Sequence, residues 1–286
     1  MELNNNSSSK LSKVLLISGV VILLVGIISL SVYFASNVNN SSEAYLKSQN
    51  DLYRLQTDGN LVYDEPEVRL KQIHSQLRID NGNLTEEIDE QLMASKYLKG
   101  YENVLEIGGN IGRNSCVIAY ILNRNNNSNL VVLESNPQYV PQLEHNRNIN
   151  NLNFHIEGSA LSKRKLIQPK DGWDTEVTDK DEVPEGYVRV STISWDKLTR
   201  KYPFKFDTLV LDCEGAFYYI LLDMPEILDN VNLILKENDY RNLAHHEYVS
   251  STLKQKGFKV VQTKKGPDDM PCGAFFWQVW IRMGTQ

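Results

Sequence analysis

Asn103-Val-Leu-Glu-Ile-Gly-Gly-Asn-Ile-Gly112 is the stretch that decides how this chain folds. Its apolar residues Val104, Leu105 and Ile107 predict a short buried parallel strand. The glycines that follow predict a tight turn, in which backbone can approach a ligand because no Cβ intervenes; these are Gly108, Gly109 and Gly112. A helix with an apolar face is predicted over Arg113–Leu122. Strand, turn and helix together indicate half of a Rossmann-type nucleotide site, although a tight connection without a ligand gives the same pattern.

Two carboxylates indicate which ligand such a turn would hold. A second buried-strand pattern covers Asn129–Ser135 and ends in Glu134, where an acid can accept hydrogen bonds from a ribose diol. Glu106 comes just before the glycines. Its charge would repel a pyrophosphate at the helix N-terminus and attract an ammonium or a sulfonium. The sign of the charge therefore favours S-adenosylmethionine over NAD.

Composition limits the class of protein. The 286 residues allow one large domain with appendages, and 23% charged and 41% hydrophobic residues are typical of a globular chain. The net charge is −6 without a Lys/Arg-rich run, so no nucleic-acid partner is expected. The three cysteines are predicted to be packing residues, because their spacing fits no metal site and their number is odd. Cysteine usage leaves the redox compartment open.

The N-terminal region predicts a membrane anchor. Residues 1–13 form a polar tail, and Val14–Ala35 contains no charged residue. As a helix, that segment of about 22 residues would extend roughly 33 Å, enough to cross a bilayer. A signal-anchor of this kind is favoured over a cleaved signal peptide or a buried core helix. Lys10 and Lys13 precede the segment and direct the N-terminus to the cytoplasm, with the large domain on the other side.

Residues 36–66 are predicted to be a tether and residues 67–286 the main domain. Residues 67–100 predict two helices at the edge of the core that cover the cofactor site. From Glu102 onward, strands alternate with helices, which indicates a mostly parallel sheet. Residues 161–193 interrupt this alternation and predict an inserted hairpin. The last two strands, Phe258–Thr263 and Ala274–Ile281, form a second hairpin, so that one of them runs antiparallel.

Two motifs in this order resemble those of the FkbM family of S-adenosylmethionine-dependent methyltransferases. The first loop of that family is acidic-x-Gly-x-Asn-x-Gly, and its fourth strand is followed by Asp-x-Glu-Gly. The matching residues here are Glu106, Gly108, Asn110 and Gly112 in the first motif, and Asp212, Glu214 and Gly215 in the second. Gly109 departs from the family, which usually has alanine there. The resemblance covers Leu92–Ile281 and leaves the apolar segment and tether outside.

The resemblance implies a class I methyltransferase fold: a Rossmann-like sheet of seven strands, mostly parallel, with the last strand antiparallel. It also implies transfer of a methyl group from S-adenosylmethionine to a hydroxyl of a sugar or secondary metabolite. Glu106 would then bind the cofactor's ammonium directly or through water, and the glycines would admit its methionine end. Asn110 would bind the carboxylate, or would be only a turn residue with positive φ. Glu134 would bind the ribose, and Ser159 and Ala160 the adenine edge.

Three acids follow predicted strands at the edge where this fold binds its ligand: Asp212, Glu214 and Glu237. They would repel one another unless a cation such as the sulfonium joins them. Asp212 or Glu214 is the predicted base for the hydroxyl proton, although Glu214 could instead cap the following helix. An alternative is a divalent metal bound by Asp212, Glu237 and Asn238, as in catechol-type methyltransferases.

The walls of the acceptor site are expected to come from the inserted hairpin, with Trp173, and from the loop Gly266–Gly273. His245 and His246 either line this site or face solvent. The sequence therefore predicts a membrane-anchored O-methyltransferase acting on a hydroxyl of a glycan, glycolipid or small metabolite. The alternatives are a non-catalytic membrane-tethered module with the same fold and an NAD-dependent oxidoreductase. The oxidoreductase is disfavoured because the chain has no Tyr-x-x-x-Lys pair.

Overall fold

A computed structural model describes residues 65–170, 172 and 174–283. The anchor predicted over Val14–Ala35, nearly all of the tether and Trp173 lie outside these residues. Within the described part of the chain, no helix is both long enough and apolar enough to cross a membrane.

The described residues form seven α-helices and twelve strands. The helices are α1 Pro66–His74, α2 Ile88–Tyr97, α3 Arg113–Asn123, α4 Val140–Ile149, α5 Trp195–Lys201, α6 Phe217–Asp223 and α7 Leu243–Gln255. Short 3₁₀ turns cover Pro225–Leu228 and Gly273–Phe275. The strands are β1 Val104–Ile107, β2 Leu130–Leu133, β3 His155–Glu157, β4 Ala160–Leu161, β5 Leu166–Pro169, β6 Glu176–Val177, β7 Tyr187–Val190, β8 Thr192–Ile193, β9 Thr208–Leu211, β10 Leu233–Glu237, β11 Phe258–Lys264 and β12 Trp277–Arg282.

A seven-stranded sheet forms the centre of the domain, in the order β11-β12-β10-β9-β1-β2-β3. The pairs among β10, β9, β1, β2 and β3 are all parallel. The last strand, β12, lies antiparallel between β10 and β11. This is the methyltransferase-like α/β arrangement that the sequence predicts, with its reversed final strand.

Helices cover both faces of the sheet, which explains why its central strands are buried throughout. Every residue of β1, β2 and β9 is buried. Alternate residues of β1 face opposite layers: Leu105 belongs to the cluster that contains Phe217 of α6, and Val104 to the cluster that contains Val117 of α3. Continuous apolar runs are therefore what a parallel strand between two helical layers requires.

The insertion between β3 and α5 is larger than the predicted hairpin. Its predicted strands form β5 and β7 and pair antiparallel. A third strand, β6, adds to the other edge of β5. β6 was not predicted, because it has only two residues and both are exposed. The insertion thus forms a small three-stranded sheet, and the parallel pair β4–β8 lies at its base.

Candidate active site

A pocket of about 680 Å³ lies at the carboxyl edge of the central sheet. Its walls include residues at or just after the ends of β1, β2, β9 and β10: Gly108, Glu134, Asp212 and Asp239. The small inserted sheet forms another wall, with Gln168 and Val177 among its residues. The volume lies within the range of small-molecule and cofactor sites, roughly 300–1,000 Å³. The position is the one at which open α/β sheets bind ligands.

The turn after β1 has the predicted form, but its glycines meet the protein itself. Gly108 has φ +94°, and a Cβ there would lie 1.5 Å from the backbone oxygen of Asp212. Gly112 has φ +92°, and its Cβ would lie 2.5 Å from Leu143. Gly108 lines the pocket, whereas Gly109 and Gly112 do not. Two of the three glycines are therefore required by packing and conformation and not by direct approach to a ligand.

Asn110 and Glu134 join the first two strand ends. Asn110 has φ +46°, so its predicted role as a turn residue is confirmed. Its backbone N–H donates to Glu134 Oε2 at 2.6 Å, and the Asn136 N–H donates to Oε1 at 2.7 Å. Burial raises the pKa of Glu134, and these amides oppose that rise. Each carboxylate oxygen has a second lone pair, so Glu134 can still accept hydrogen bonds from a diol.

Glu106, which was predicted to bind the cofactor's ammonium directly or through water, is enclosed by the protein. Glu106 is only 2% exposed and does not line the pocket. Its Oε1 accepts a hydrogen bond from Asn114 Nδ2 at 3.2 Å, while Oε2 has no partner. Burial raises the pKa of Glu106 to about 8. The side chain is therefore mostly neutral at pH 7, and it does not supply the negative charge that the sequence argument assigned to it.

Three acids meet at the opposite side of the pocket: Asp212, Glu214 and Asp239. Asp212 follows β9, and burial, then Asp239, raises its pKa well above the usual value. Glu214 is exposed and adopts φ +51°. The predicted meeting of Asp212 and Glu214 is thus observed. Asp239 takes the third place, which the sequence analysis had assigned to Glu237.

Among the described residues, only one of the two carboxylate oxygens of Asp239 has a hydrogen-bond partner. It is 6% exposed, and its Oδ1 accepts the backbone N–H of Gly215 at 2.7 Å. Its Oδ2 is buried without a hydrogen-bond partner. Burial, and next the charge of Glu214, raises the pKa of Asp239 to about 7. The one sequence feature that pointed to Asp239 was its position directly after Lys236-Glu237-Asn238, the run in which β10 ends.

The alternative metal ligands Asp212, Glu237 and Asn238 do not form a common site. Neither Glu237 nor Asn238 lines the pocket. Burial and a hydrogen bond with Glu90 raise the pKa of Glu237 to about 12. Asn238 Oδ1 accepts from Lys236 Nζ at 2.5 Å, so an ammonium occupies the oxygen that a metal would need. Among residues 65–170, 172 and 174–283, no group of three or more His, Cys, Asp or Glu is arranged around a metal position.

The remaining walls agree in part with expectation. Ser159, Ala160 and Asp174–Val177 line the pocket, as predicted for the adenine edge and the insertion. The loop Gly266–Gly273 does not line it. This loop packs on Phe276, so closely that a Cβ added at Gly266 would lie 2.5 Å from the Phe276 side chain. Residues 65–100 do not line it either, so the predicted cover by α1 and α2 is wrong. These helices pack instead on α3 and β10.

The acceptor side contains paired charges and aromatic rings. Arg164 binds Asp223 through two hydrogen bonds, of 2.6 and 2.8 Å, and lies over the ring of Tyr219. His245 lines the pocket and stacks on Tyr218 with ring centroids 3.8 Å apart. His246 does not line it, and burial lowers its pKa to about 4. Arg164 is thus paired with an acid that also lines the pocket, and Arg241, another residue of the lining, is paired with Asp174.

No protein-family model matches this sequence, and no curated protein matches it. Several solved structures have a similar fold. The methyltransferase FkbM of Methylobacillus flagellatus is 9% identical with a TM-score of 0.45, over 76% of this chain and 59% of that one. A ribosomal protein L11 methylase of Lactobacillus delbrueckii is 13% identical with a TM-score of 0.44, over 73% and 86%. An rRNA methylase of Streptococcus thermophilus is 12% identical with a TM-score of 0.42, over 69% and 95%.

These likenesses concern the fold. With TM-scores below 0.5, none of them determines the ligand or the reaction of this chain. Membership of the FkbM family therefore stays a prediction from the two sequence motifs.

Proposed function

We propose that this chain is an S-adenosylmethionine-dependent methyltransferase that acts on a hydroxyl group. The observation that carries the proposal is a single pocket lined by Glu134, Asp212, Glu214 and Asp239. Burial is the main cause of the raised pKa values of these acids, so a positively charged ligand would favour their ionised forms. A ligand with a sulfonium and an ammonium supplies that charge, whereas a pyrophosphate would be repelled.

The residues of the pocket fit this cofactor. Glu134 would hold the ribose diol, and Ser159 and Ala160 would border the adenine. Gly108 and Asn110 would lie along the methionine end. When bound, S-adenosylmethionine supplies a methyl group activated by the adjacent sulfonium. The chain's own part is to orient the acceptor, exclude water and take up the hydroxyl proton.

The acceptor is a hydroxyl of a glycan, glycolipid or small metabolite under this proposal. Paired Arg164 and Asp223 offer both donors and acceptors at the pocket wall. Val14–Ala35 would anchor the enzyme in a membrane, with its N-terminus in the cytoplasm. Mass spectrometry of glycans and lipids, treated with and without the enzyme, would reveal the acceptor by a gain of one methylene mass.

Calorimetry on the full-length chain in a mild detergent tests the cofactor. We expect S-adenosylmethionine and S-adenosylhomocysteine to bind and NAD not to bind. Glu134→Ala should weaken binding of S-adenosylhomocysteine tenfold or more, because it removes acceptors for the ribose diol. Glu144→Ala is the matched control, since it removes an exposed carboxylate from neighbouring α4.

The other outcomes separate the alternatives. Binding of NAD alone would support an oxidoreductase and contradict the proposal. Absence of binding by all three ligands would favour a non-catalytic module. Thermal unfolding of Glu134→Ala shows whether the variant still folds, because it leaves the Asn110 and Asn136 amides without their acceptor.

A further inference from the structure

The strand order fixes the order of the polar groups along the pocket. Glu134 follows β2, Gly108 follows β1, Asp212 follows β9 and Asp239 follows β10. These strands are consecutive neighbours in the sheet. At about 4.8 Å per strand, Asp239 lies roughly 14 Å along the edge from Glu134. If Glu134 holds the ribose, Asp239 lies toward the opposite end, where an acceptor enters.

Asp239 is oriented by the protein and yet incompletely satisfied. The Gly215 N–H fixes Oδ1 at 2.7 Å, and this amide belongs to the same loop as Asp212. Oδ2 is buried without a partner, and the residue lines the pocket. Buried carboxylate oxygens in proteins normally have hydrogen-bond partners. A bound ligand is the natural source of the missing one.

The two neighbouring acids, Asp212 and Glu214, are less suited to act as the base of the reaction. Glu214 is exposed, and a base for methyl transfer acts in a site from which water is excluded. Burial, and next the charge of Asp239, raise the pKa of Asp212 well above its usual value, which disfavours its ionised form. Asp239, with a pKa of about 7, is available in both forms near neutral pH, which suits proton transfer.

Charged and titratable groups face Asp239 from each neighbouring element. Glu214 disfavours its ionisation, and Lys236 of β10 favours it. The other groups that interact with it electrostatically are Asp212, Cys213, Glu237, Tyr240 and Cys272. Lys236 is itself buried, bonded to Asn238 and has a pKa lowered by burial to about 8. Glu214 and Lys236 therefore act on the ionisation of Asp239 in opposite directions, and a positively charged ligand in the pocket would favour its ionised form.

We propose that Asp239 is the base of the reaction, which rests on the methyl transfer proposed above. Asp239 faces the sulfonium end of the cofactor site, loses its proton when the methyl donor binds, and then receives the acceptor's proton on Oδ2. The hydroxyl oxygen forms its bond to the methyl carbon as the carbon–sulfur bond breaks. The electron pair of that bond remains on sulfur, and the proton passes to the carboxylate.

Proton counting during ligand binding tests this role without a known acceptor. Calorimetry of the full-length chain at pH 7, in two buffers of different ionisation enthalpy, gives the number of protons released. S-adenosylmethionine carries the sulfonium, and S-adenosylhomocysteine has a neutral sulfur. We expect the first ligand to release up to about half a proton more than the second, because a group with a pKa of about 7 is half protonated at this pH.

Asp239→Asn should remove most of this difference. Asparagine still accepts the Gly215 N–H through its Oδ1, so the loop keeps its hydrogen bond. Glu90→Gln is the matched control, because Glu90 is also a buried acid, at 7% exposed, accepts a hydrogen bond from Trp277 Nε1 and does not line the pocket. We expect the control to keep the full difference. Thermal unfolding should show that both variants fold.

Methyl transfer provides the second readout. With labelled S-adenosylmethionine and a pooled lipid and glycan extract, Asp239→Asn should transfer methyl groups at least 100-fold more slowly, the usual contribution of a general base. Its affinity for S-adenosylhomocysteine should stay within about threefold. Equal proton release by both ligands, or an undiminished difference in Asp239→Asn, would overturn the assignment. Failure of both ligands to bind would instead overturn the proposed function.

Discussion

Glu106 shows how burial without a cation changes a carboxylic acid. It lies inside the fold at 2% exposure, and its pKa rises from 4.5 to about 8. The folded state therefore holds a proton that the unfolded chain releases between about pH 4.5 and 8. Stability that is present below pH 4.5 is lost as the pH rises toward 8. At roughly 1.4 kcal/mol per pKa unit, the upper bound of this loss is about 5 kcal/mol.

Glu106→Gln should remove this penalty at high pH. Glutamine keeps an oxygen that can accept from Asn114 Nδ2. We expect the variant to be more stable than the parent at pH 8.5, by about 1–3 kcal/mol, and of similar stability near pH 4.5. Urea unfolding at both pH values measures the difference. A stability difference that is the same at both pH values would contradict the burial of an uncompensated acid.

The turn between β1 and α3 is the element on which the site depends. Gly108 has φ +94°, and a Cβ there would lie 1.5 Å from the Asp212 backbone oxygen, so only glycine allows the ends of β1 and β9 to approach this closely. Gly186, in the insertion, has φ +84° and nothing within 4 Å of a Cβ position. The two glycines share the unusual conformation and differ in available space. Comparing the alanine variants of the two glycines therefore separates the cost of the left-handed backbone from the cost of a steric clash.

Gly186→Ala should cost about 1 kcal/mol, the penalty for a left-handed backbone. Gly108→Ala should cost about 3 kcal/mol or more, because it adds a clash with backbone that cannot move freely. Chemical unfolding of both variants gives the comparison. Gly108→Ala should also weaken S-adenosylhomocysteine binding. Equal losses of stability in the two variants would show that the contact between β1 and β9 is dispensable.

Elements with strong periodicity could be predicted from the sequence, and short or polar ones could not. Mostly apolar runs identify β1, β2 and β9, because all their residues are buried. The last helix, α7, begins at Leu243, since the Asn242 side chain caps it by accepting the Ala244 N–H. Asn242 was a visible cap signal.

Site residues were harder to predict where strand alternation governs them. Glu237 is the last residue of β10, and it was predicted to lie at the edge of the sheet where the fold binds its ligand. Side chains alternate along a strand, and here Glu237 meets Glu90 on the helical layer. Asp239 follows the strand and lines the pocket. The orientation of a residue beyond a strand end depends on its loop, here on the Gly215 amide, which sequence pattern alone does not reveal.

At the scale of the whole molecule, the proposed function includes attachment of the enzyme to a membrane. Val14–Ala35 has no charged residue. We expect the full-length chain to stay with membranes after alkaline extraction, and a variant lacking residues 14–35 to be released. Release of the full-length chain would contradict the anchor and leave the proposed reaction unaffected.

The acids on which the proposed function depends are a property of the whole domain, because Glu134, Asp212, Glu214 and Asp239 follow three different strands of the sheet, β2, β9 and β10. Calorimetric titration of one full-length preparation with S-adenosylmethionine, S-adenosylhomocysteine and NAD tests that property most directly. We expect both sulfur ligands to bind, with binding of S-adenosylhomocysteine at least tenfold weaker in Glu134→Ala, and no heat from NAD. Binding of NAD with no response to either sulfur ligand would contradict the account.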